Sequence, residues 1–265
     1  MNQSLASQTV LVTGASSGIG REFALQLAAR GATLVLAARR RERLDALAEE
    51  LRADAGAVVH VVSIDLSTVG AAEVLRSAVE QQGIRVTSVI NNAGVGSFGP
   101  FAGEDARRRR SDIAVDVIAP VEICAAFLPD VLERGDGFII NVASMAAYVP
   151  TPLMAVYGAS KAFILSFTES LWAEVRGSGV TVFALSPGAT ATEFNDVVGT
   201  EDATAGARKR RPADVVATAL AHLDRRSPGP SVIDGAGNRL SAALGRLLPR
   251  RAAVSMMARL TAPAP

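Results

Sequence analysis

Short apolar stretches recur along this chain, separated by longer segments of mixed character. Val10–Thr13, Thr33–Ala37, Val58–Ser63, Val86–Asn91, Gly137–Val142, Val180–Leu185 and Ser231–Asp234 are rich in β-branched and aliphatic residues. Most are apolar at nearly every position rather than at alternate ones, which predicts strands covered on both faces. Between them Phe23–Ala29, Arg41–Arg52, Ala72–Gln81, Val156–Arg176 and Ala213–Leu223 have helical character. Strand and helix alternating at this distance predict βαβ crossovers. The expected fold is α/β, one open seven-stranded parallel sheet, doubly wound with helices on both faces.

The chain has 265 residues, no internal repeat and no long Pro/Gly/Ser linker, so a single domain over 1–265 is expected. Two segments escape the alternation. Residues 193–211 are polar and aperiodic, either a lid over a pocket or an ordinary surface loop with a short helix. Residues 238–260 form an amphipathic, basic, helical tail. It could lie on a membrane surface, pack on the substrate side, or cross a subunit interface.

Composition narrows the classes. Apolar residues make up 49% of the chain and mean hydropathy is +0.27, enough for a substantial core. The 27 basic and 26 acidic residues leave a net charge of +1, which argues against a dedicated nucleic-acid binder. A single cysteine, Cys124, excludes an internal disulfide and is compatible with a reducing, cytoplasmic setting. The N-terminus lacks a secretory pattern, and apolar runs stop short of the ~18 residues of a membrane span.

The first strand is followed by Thr13-Gly14-Ala15-Ser16-Ser17-Gly18-Ile19-Gly20. Gly14 permits a tight turn, Gly18 lets a ligand approach the backbone, and Gly20 permits close helix packing. Free N–H groups at the helix start suit a pyrophosphate, although the G-x-x-x-G-x-G spacing differs from G-x-G-x-x-G and alone is compatible with a structural turn. After the second strand, Ala38 stands where many NAD sites carry a carboxylate, and Arg39, Arg40 and Arg41 follow. A carboxylate repels a 2′-phosphate and an arginine fork holds it. NADP(H) is therefore expected, with Arg39 as main contact and Arg40 in support. The competing reading is arginines that decorate a solvated helix start.

Chemistry is expected further on. Ser144 follows the fifth strand, and Tyr157 and Lys161 share one helix face. An ammonium about 6 Å from the phenol, at an effective dielectric of about 20, supplies roughly 3 kcal/mol. That lowers a tyrosine by about two pKa units, toward a useful acid–base range.

With these motifs together the chain resembles the short-chain dehydrogenase/reductase family over almost its whole length. The residues that carry the likeness are Thr13–Gly20, Asp65-Leu66, Asn91-Asn92-Ala93-Gly94, Ser144, Tyr157-x-x-x-Lys161 and Pro187-Gly188. The resemblance implies a Rossmann-type fold, with Gly14, Ser16, Ser17, Gly18, Ile19 and Gly20 contacting the cofactor. Tyr157 would exchange a proton with the substrate oxygen, and Ser144 would hydrogen-bond that oxygen. Lys161 would bind the nicotinamide ribose and tune Tyr157. Asp65 and Leu66 would flank the adenine, and Asn91, Asn92, Ala93 and Gly94 would line the adenosine side. Pro187, Gly188 and Thr192 would meet the nicotinamide end. The family also implies a homodimer or homotetramer through helices around 104–128 and 155–176, where Ala125, Ala126, Ala159 and Ala162 fit close packing on a partner or on the parent sheet.

One position departs from the family. The stretch "DIAVDVIAP" puts Asp116 where an asparagine usually supports a proton relay to the lysine. An ionised Asp116 would offset Lys161, and a protonated one would imitate the amide. The reading is an NADP(H)-dependent oxidoreductase that interconverts carbonyl and alcohol on a small to medium, largely apolar substrate. A dinucleotide sensor without turnover, or an epimerase or dehydratase using the same cofactor, are the alternatives.

Other conspicuous residues have plainer expectations. His60 and His222 lack a metal-ligand partner at suitable spacing, so no metal is expected. Arg107–Arg110 and Arg208–Arg211 read as a solvated helix start and a loop edge. Met145, Tyr148, Val149, Leu153, Met154 and Phe194 line an apolar substrate pocket or belong to the core.

Overall fold

The computed structural model describes residues 5–200, 204 and 206–261. Its strands are β1 Thr9–Thr13, β2 Thr33–Ala38, β3 Val59–Ser63, β4 Ser88–Asn91, β5 Gly137–Val142, β6 Val180–Ser186 and β7 Ser231–Ile233. They form one seven-stranded sheet in the order β3-β2-β1-β4-β5-β6-β7, with every pairing parallel. The helices are α1 Gly18–Ala28, α2 Arg41–Ala55, α3 Ala71–Glu80, α4 Ala106–Ile113, α5 Ala119–Arg134, α6 Ala155–Glu174, α7 Phe194–Val198, α8 Pro212–Leu223, α9 Ala236–Leu247 and α10 Arg250–Leu260.

Both faces of the sheet are buried, which is why its strands read as unbroken apolar runs. On one face Val10, Val12, Leu34, Leu36, Phe138, Ile140 and Phe183 meet α1, α2 and α8 through Phe23, Leu27, Leu44 and Val216. On the other, Leu11, Val35, Val89, Ile139 and Val182 meet α3, α5 and α6 through Leu75, Ile123, Phe127 and Leu171. Each fully buried side chain of this size contributes about 1.5–3 kcal/mol.

Boundaries differ from the pattern where polar chemistry intervenes. α1 begins at Gly18 rather than Phe23, because its first turn is built from the glycine segment and apolar spacing starts only where the helix meets the sheet. β7 stops at Ile233, and the Asp234 carboxylate is taken by Arg210 at 2.6 Å and Thr218 at 2.7 Å. A π-helical turn, Ala114–Ile118, separates α4 from α5. The tail is two helices, since the Pro249 ring cannot continue α9. Among the described residues no helix is long and apolar enough to cross a membrane.

The strand order reverses between β1 and β4, so their connections leave on opposite sides. A crevice opens beyond the carboxyl ends at such a point.

Candidate active site

At the carboxyl end of β1 the chain turns at Gly14, whose φ of +65° is left-handed. A Cβ there would lie 2.8 Å from Ala93 Cα, so the turn and the β4 end are in direct contact. Asn92, expected with its neighbours to line the adenosine side, holds this turn: its Nδ2 donates to the Thr13 carbonyl at 2.9 Å, and its N–H donates to Thr13 Oγ1 at 3.0 Å. Asn91, one residue earlier, faces the other way. Its Nδ2 donates to Asn141 Oδ1 at 2.9 Å inside the sheet, so its side chain is a strut between β4 and β5 and does not face the crevice. Consecutive residues of a strand point to opposite faces, and the motif alone did not say which was which.

Gly20 packs against the Gly14 carbonyl and the Asn92 amide, as its close-packing assignment requires. Ile19 packs against the core face that α1 covers. Above Gly18, whose φ is +56°, the space a Cβ would take lies 2.9 Å from Thr192 Cγ2. Thr192 belongs to the segment leaving β6 and closes one wall of a cleft of about 480 Å³ that Gly18, Arg21 and Glu193 also line.

The two arginines after β2 behave differently. Arg40 folds over the glycine turn: its Nη2 donates to Ser16 Oγ at 3.0 Å and Ser17 Oγ at 2.9 Å. Arg39 is exposed, and its charge acts on Asp65. Asp65 is also exposed and accepts from Ser67 N–H at 3.0 Å, whereas Leu66 is buried in the core.

The other end of the crevice is enclosed. Lys161, on α6, is 4% exposed and Asp116, in the π-helical turn, is 1% exposed. The Lys161 ammonium donates to Asp116 Oδ1 at 3.3 Å and to the Val142 carbonyl at 3.4 Å. Asp116 Oδ1 also accepts from Val95 N–H at 3.1 Å, while the buried Oδ2 has no partner among the described residues. A Cβ at Gly94 would lie 3.1 Å from both Lys161 Nζ and Asp116 Oδ1, so only glycine leaves this pair uncovered. Lys161 Nζ lies 5.6 Å from the Tyr157 ring centre, and Ser144 is close enough to the Tyr157 phenol to draw its pKa down.

The electrostatics correct one sequence expectation. Burial pushes the Tyr157 phenol above its ordinary value, and the opposing pull of Lys161 does not overcome it. The estimate from the Y-x-x-x-K spacing counted the charge and omitted desolvation. Asp116 adds to the rise. Burial likewise raises the Asp116 carboxyl against the pull of Lys161. Burial works to lower the Lys161 ammonium, but the charges of Asp116 and Tyr157 outweigh it and hold the ammonium above its usual range.

The substrate side is built from segments distant in sequence. Phe194 packs on Tyr157, ring centres 5.3 Å apart, and its Cζ lies 2.9 Å from where a Cβ on Gly96 would be. Leu153 has a φ of +66°, a left-handed conformation rare for a branched side chain, and its carbonyl accepts from Gly99 N–H at 2.8 Å. Met145, Val149 and Leu153 are half-buried and Met154 is buried. Tyr148 reaches Ser186, Oη to Oγ 3.3 Å. Pro187 is buried, and Asn238 of α9 sits on Gly188. The stems of the 193–211 loop are tied by Ala191 N–H to the Arg210 carbonyl at 2.8 Å; residues 201–203 and 205 of that loop lie outside the described residues.

Asp105 and His222 have partners of their own. Asp105 caps α4, accepting from Arg107 N–H at 2.6 Å and Arg108 N–H at 3.0 Å. His222 Nε2 bonds the Gly229 carbonyl at 3.0 Å, and His60 stands on β3. Among the described residues no cluster of side chains is arranged to hold a metal ion.

These groups fit a nicotinamide dinucleotide. The open glycine turn offers backbone N–H groups, two serines and a guanidinium at one end. At the other, two of the three Lys161 donors go to Asp116 and Val142, and the third is available to a ribose hydroxyl.

Comparison with known proteins agrees. Residues 8–203 match the family model of the short chain dehydrogenases. A short chain dehydrogenase of Pseudocercospora fijiensis is 38% identical over 195 residues, covering 72% of this chain and 62% of that protein. The chain thus spans under two thirds of that relative's length. A sulfoacetaldehyde reductase of Chromohalobacter salexigens is 39% identical over 189 residues, covering 70% of this chain and 73% of the relative. A solved short-chain dehydrogenase from Sphingobium yanoikuyae, in complex with NADPH, superposes with a TM-score of 0.81 at 34% identity, covering 94% of this chain and 95% of that one. With a matched family model, an all-parallel sheet of the required order and a glycine turn facing an enclosed tyrosine and lysine, this chain belongs to the short-chain dehydrogenase/reductase family of oxidoreductases.

Proposed function

We propose that this protein is an NADP(H)-dependent oxidoreductase that interconverts a carbonyl and an alcohol on a small to medium, largely apolar substrate. The carrying observation is the convergence of Ser144, Tyr157 and Lys161 at the enclosed end of the crevice. A bound nicotinamide dinucleotide supplies or accepts the hydride. Tyr157 holds the proton exchanged with the substrate oxygen, and Ser144 orients that oxygen. A phenol is protonated at neutral pH at its ordinary value, and burial shifts Tyr157 further that way, so the free protein holds the proton that carbonyl reduction requires. Lys161, fixed by Asp116 and Val142, directs its remaining donor to the ribose and opposes the effect of burial on Tyr157.

Preference for NADP(H) is supported by Ala38 where a carboxylate would stand, by Arg40 on Ser16 and Ser17, and by exposed Arg39 beside them. The similar Sphingobium protein was solved with NADPH. Phe194 on Tyr157, with Met145, Val149 and Leu153 nearby, supports an apolar substrate. A cytoplasmic setting is supported by the single cysteine, Cys124, which leaves no internal disulfide to form. Self-association is supported by Phe101, Ile113, Ile118 and Phe163, each at least 40% exposed beside α4 and α6. Light scattering of Ile113→Asp and Phe163→Asp is expected to report dissociation.

The decisive experiment is NADPH and NADH oxidation against a panel of aldehydes and ketones. Turnover with NADPH exceeding that with NADH is expected. Tight NADPH binding without turnover on any panel member would favour the sensor instead.

A further inference from the structure

Three consecutive residues after β6 each grip a different part of the crevice. Thr192 covers Gly18, Phe194 packs on Tyr157, and between them Glu193 reaches the arginines of α2. One Glu193 oxygen accepts from Arg40 Nη1 at 2.8 Å and the other from Arg43 Nη1 at 2.6 Å. Arg40 is the N-cap of α2 and Arg43 lies one turn on, so the two guanidiniums face the same way. With Ser16 and Ser17 also on Arg40, every group needed to bind a small anion is assembled, and Glu193 supplies the anion.

Resting on the NADP(H) reading above, we infer that Glu193 is a resident substitute for the 2′-phosphate. Its carboxylate holds Arg40 and Arg43 until the cofactor's 2′-phosphate takes them, and that exchange releases the segment carrying Thr192 and Phe194.

The charges favour this exchange. Hydrogen bonds from Arg40 and Arg43 hold the Glu193 carboxyl below its usual range, so it is anionic whenever the protein is folded near neutral pH. A phosphate monoester brings about −1.5 to −2 charges against its one. Both pairs are half-exposed, with side chains 41–49% accessible, so solvent weakens the hold and a ligand can compete for it. A cofactor with only a 2′-hydroxyl brings no charge to displace Glu193. The substitute anion therefore opposes 2′-phosphate binding modestly and makes loop release specific to the phosphorylated cofactor.

Calorimetry with 2′,5′-ADP and 5′-AMP tests this in the wild type and Glu193→Gln at one ionic strength. Glu193→Gln is expected to tighten 2′,5′-ADP by about threefold to tenfold, the range two exposed ion pairs support, and to leave 5′-AMP unchanged. If the wild type prefers 2′,5′-ADP and the variant leaves that preference unaltered, the role given to Glu193 is wrong while NADP(H) stands. If the wild type binds both nucleotides equally, the 2′-phosphate reading fails and takes the inference with it. Hydrogen exchange supplies the second readout. In the wild type 2′,5′-ADP, and not 5′-AMP, is expected to speed amide exchange over residues 190–198. Equal exchange with either nucleotide would overturn the proposed release.

Discussion

The crevice has an ion pair at each end, and the two differ in nearly everything except charge. Arg40 and Glu193 meet with their side chains 41% and 42% exposed. Lys161 and Asp116 meet with theirs 6% and 1% exposed. Water screens the first pair and leaves it exchangeable, which suits a site whose occupant changes. The second pair has surrendered its hydration, so removing either partner strands a buried charge. One kind of contact thus serves as a replaceable latch at one end and a fixed foundation at the other. Burial alone sets the difference.

The strongest way to break the comparison is at the enclosed end. Tyr157→Phe is expected to lower kcat by about 10²–10⁴-fold while dinucleotide affinity changes little. Undiminished turnover in steady-state assays would remove Tyr157 from the proposed chemistry. Next, Asp116→Ala leaves Lys161 without its counter-charge in the interior and is expected to cost about 3–5 kcal/mol, read as a lowered denaturant midpoint. A change under 1 kcal/mol would mean that the pair is far better solvated than its burial indicates.

Asp116→Asn sharpens the same point without emptying the site. The Asp116 charge is among the influences that raise Tyr157, so removing it lowers the phenol's pKa. The alkaline limb of carbonyl reduction, where Tyr157 loses its proton, is therefore expected to move to lower pH. Superimposable pH–rate profiles would exclude an electrostatic role for Asp116. The exposed end yields the smallest effects. Arg40→Ala is expected to weaken NADPH about tenfold with NADH nearly unchanged, and Arg39→Ala to do less, since Arg40 alone lies on Ser16 and Ser17. A larger loss at Arg39 in a binding titration would reverse their order.

Much of the frame was legible in the sequence because it depends on local spacing. Continuous apolar runs announced strands buried on both faces. The glycine segment after the first strand marked a turn that side chains would obstruct, and Tyr157 and Lys161 share a helix face by periodicity alone. The less legible features are those in which a residue's direction or surroundings matter. Asn91 and Asn92 look interchangeable in a motif, yet strand alternation sends one into the sheet and the other onto the glycine turn. Arg39 and Arg40 divide in the same way.

The sequence by itself determined that this chain makes a parallel α/β sheet with a phosphate-sized turn at its first crossover and a tyrosine one helical turn from a lysine. These follow from period and from the steric needs of glycine, which act over a few residues. Only the tertiary structure decided that Lys161 meets Asp116, that Glu193 crosses to Arg40 and Arg43, and that Tyr157 is raised rather than lowered. Those outcomes depend on which distant segments share a site and how much water they exclude, and both are fixed only when the helices close over the sheet.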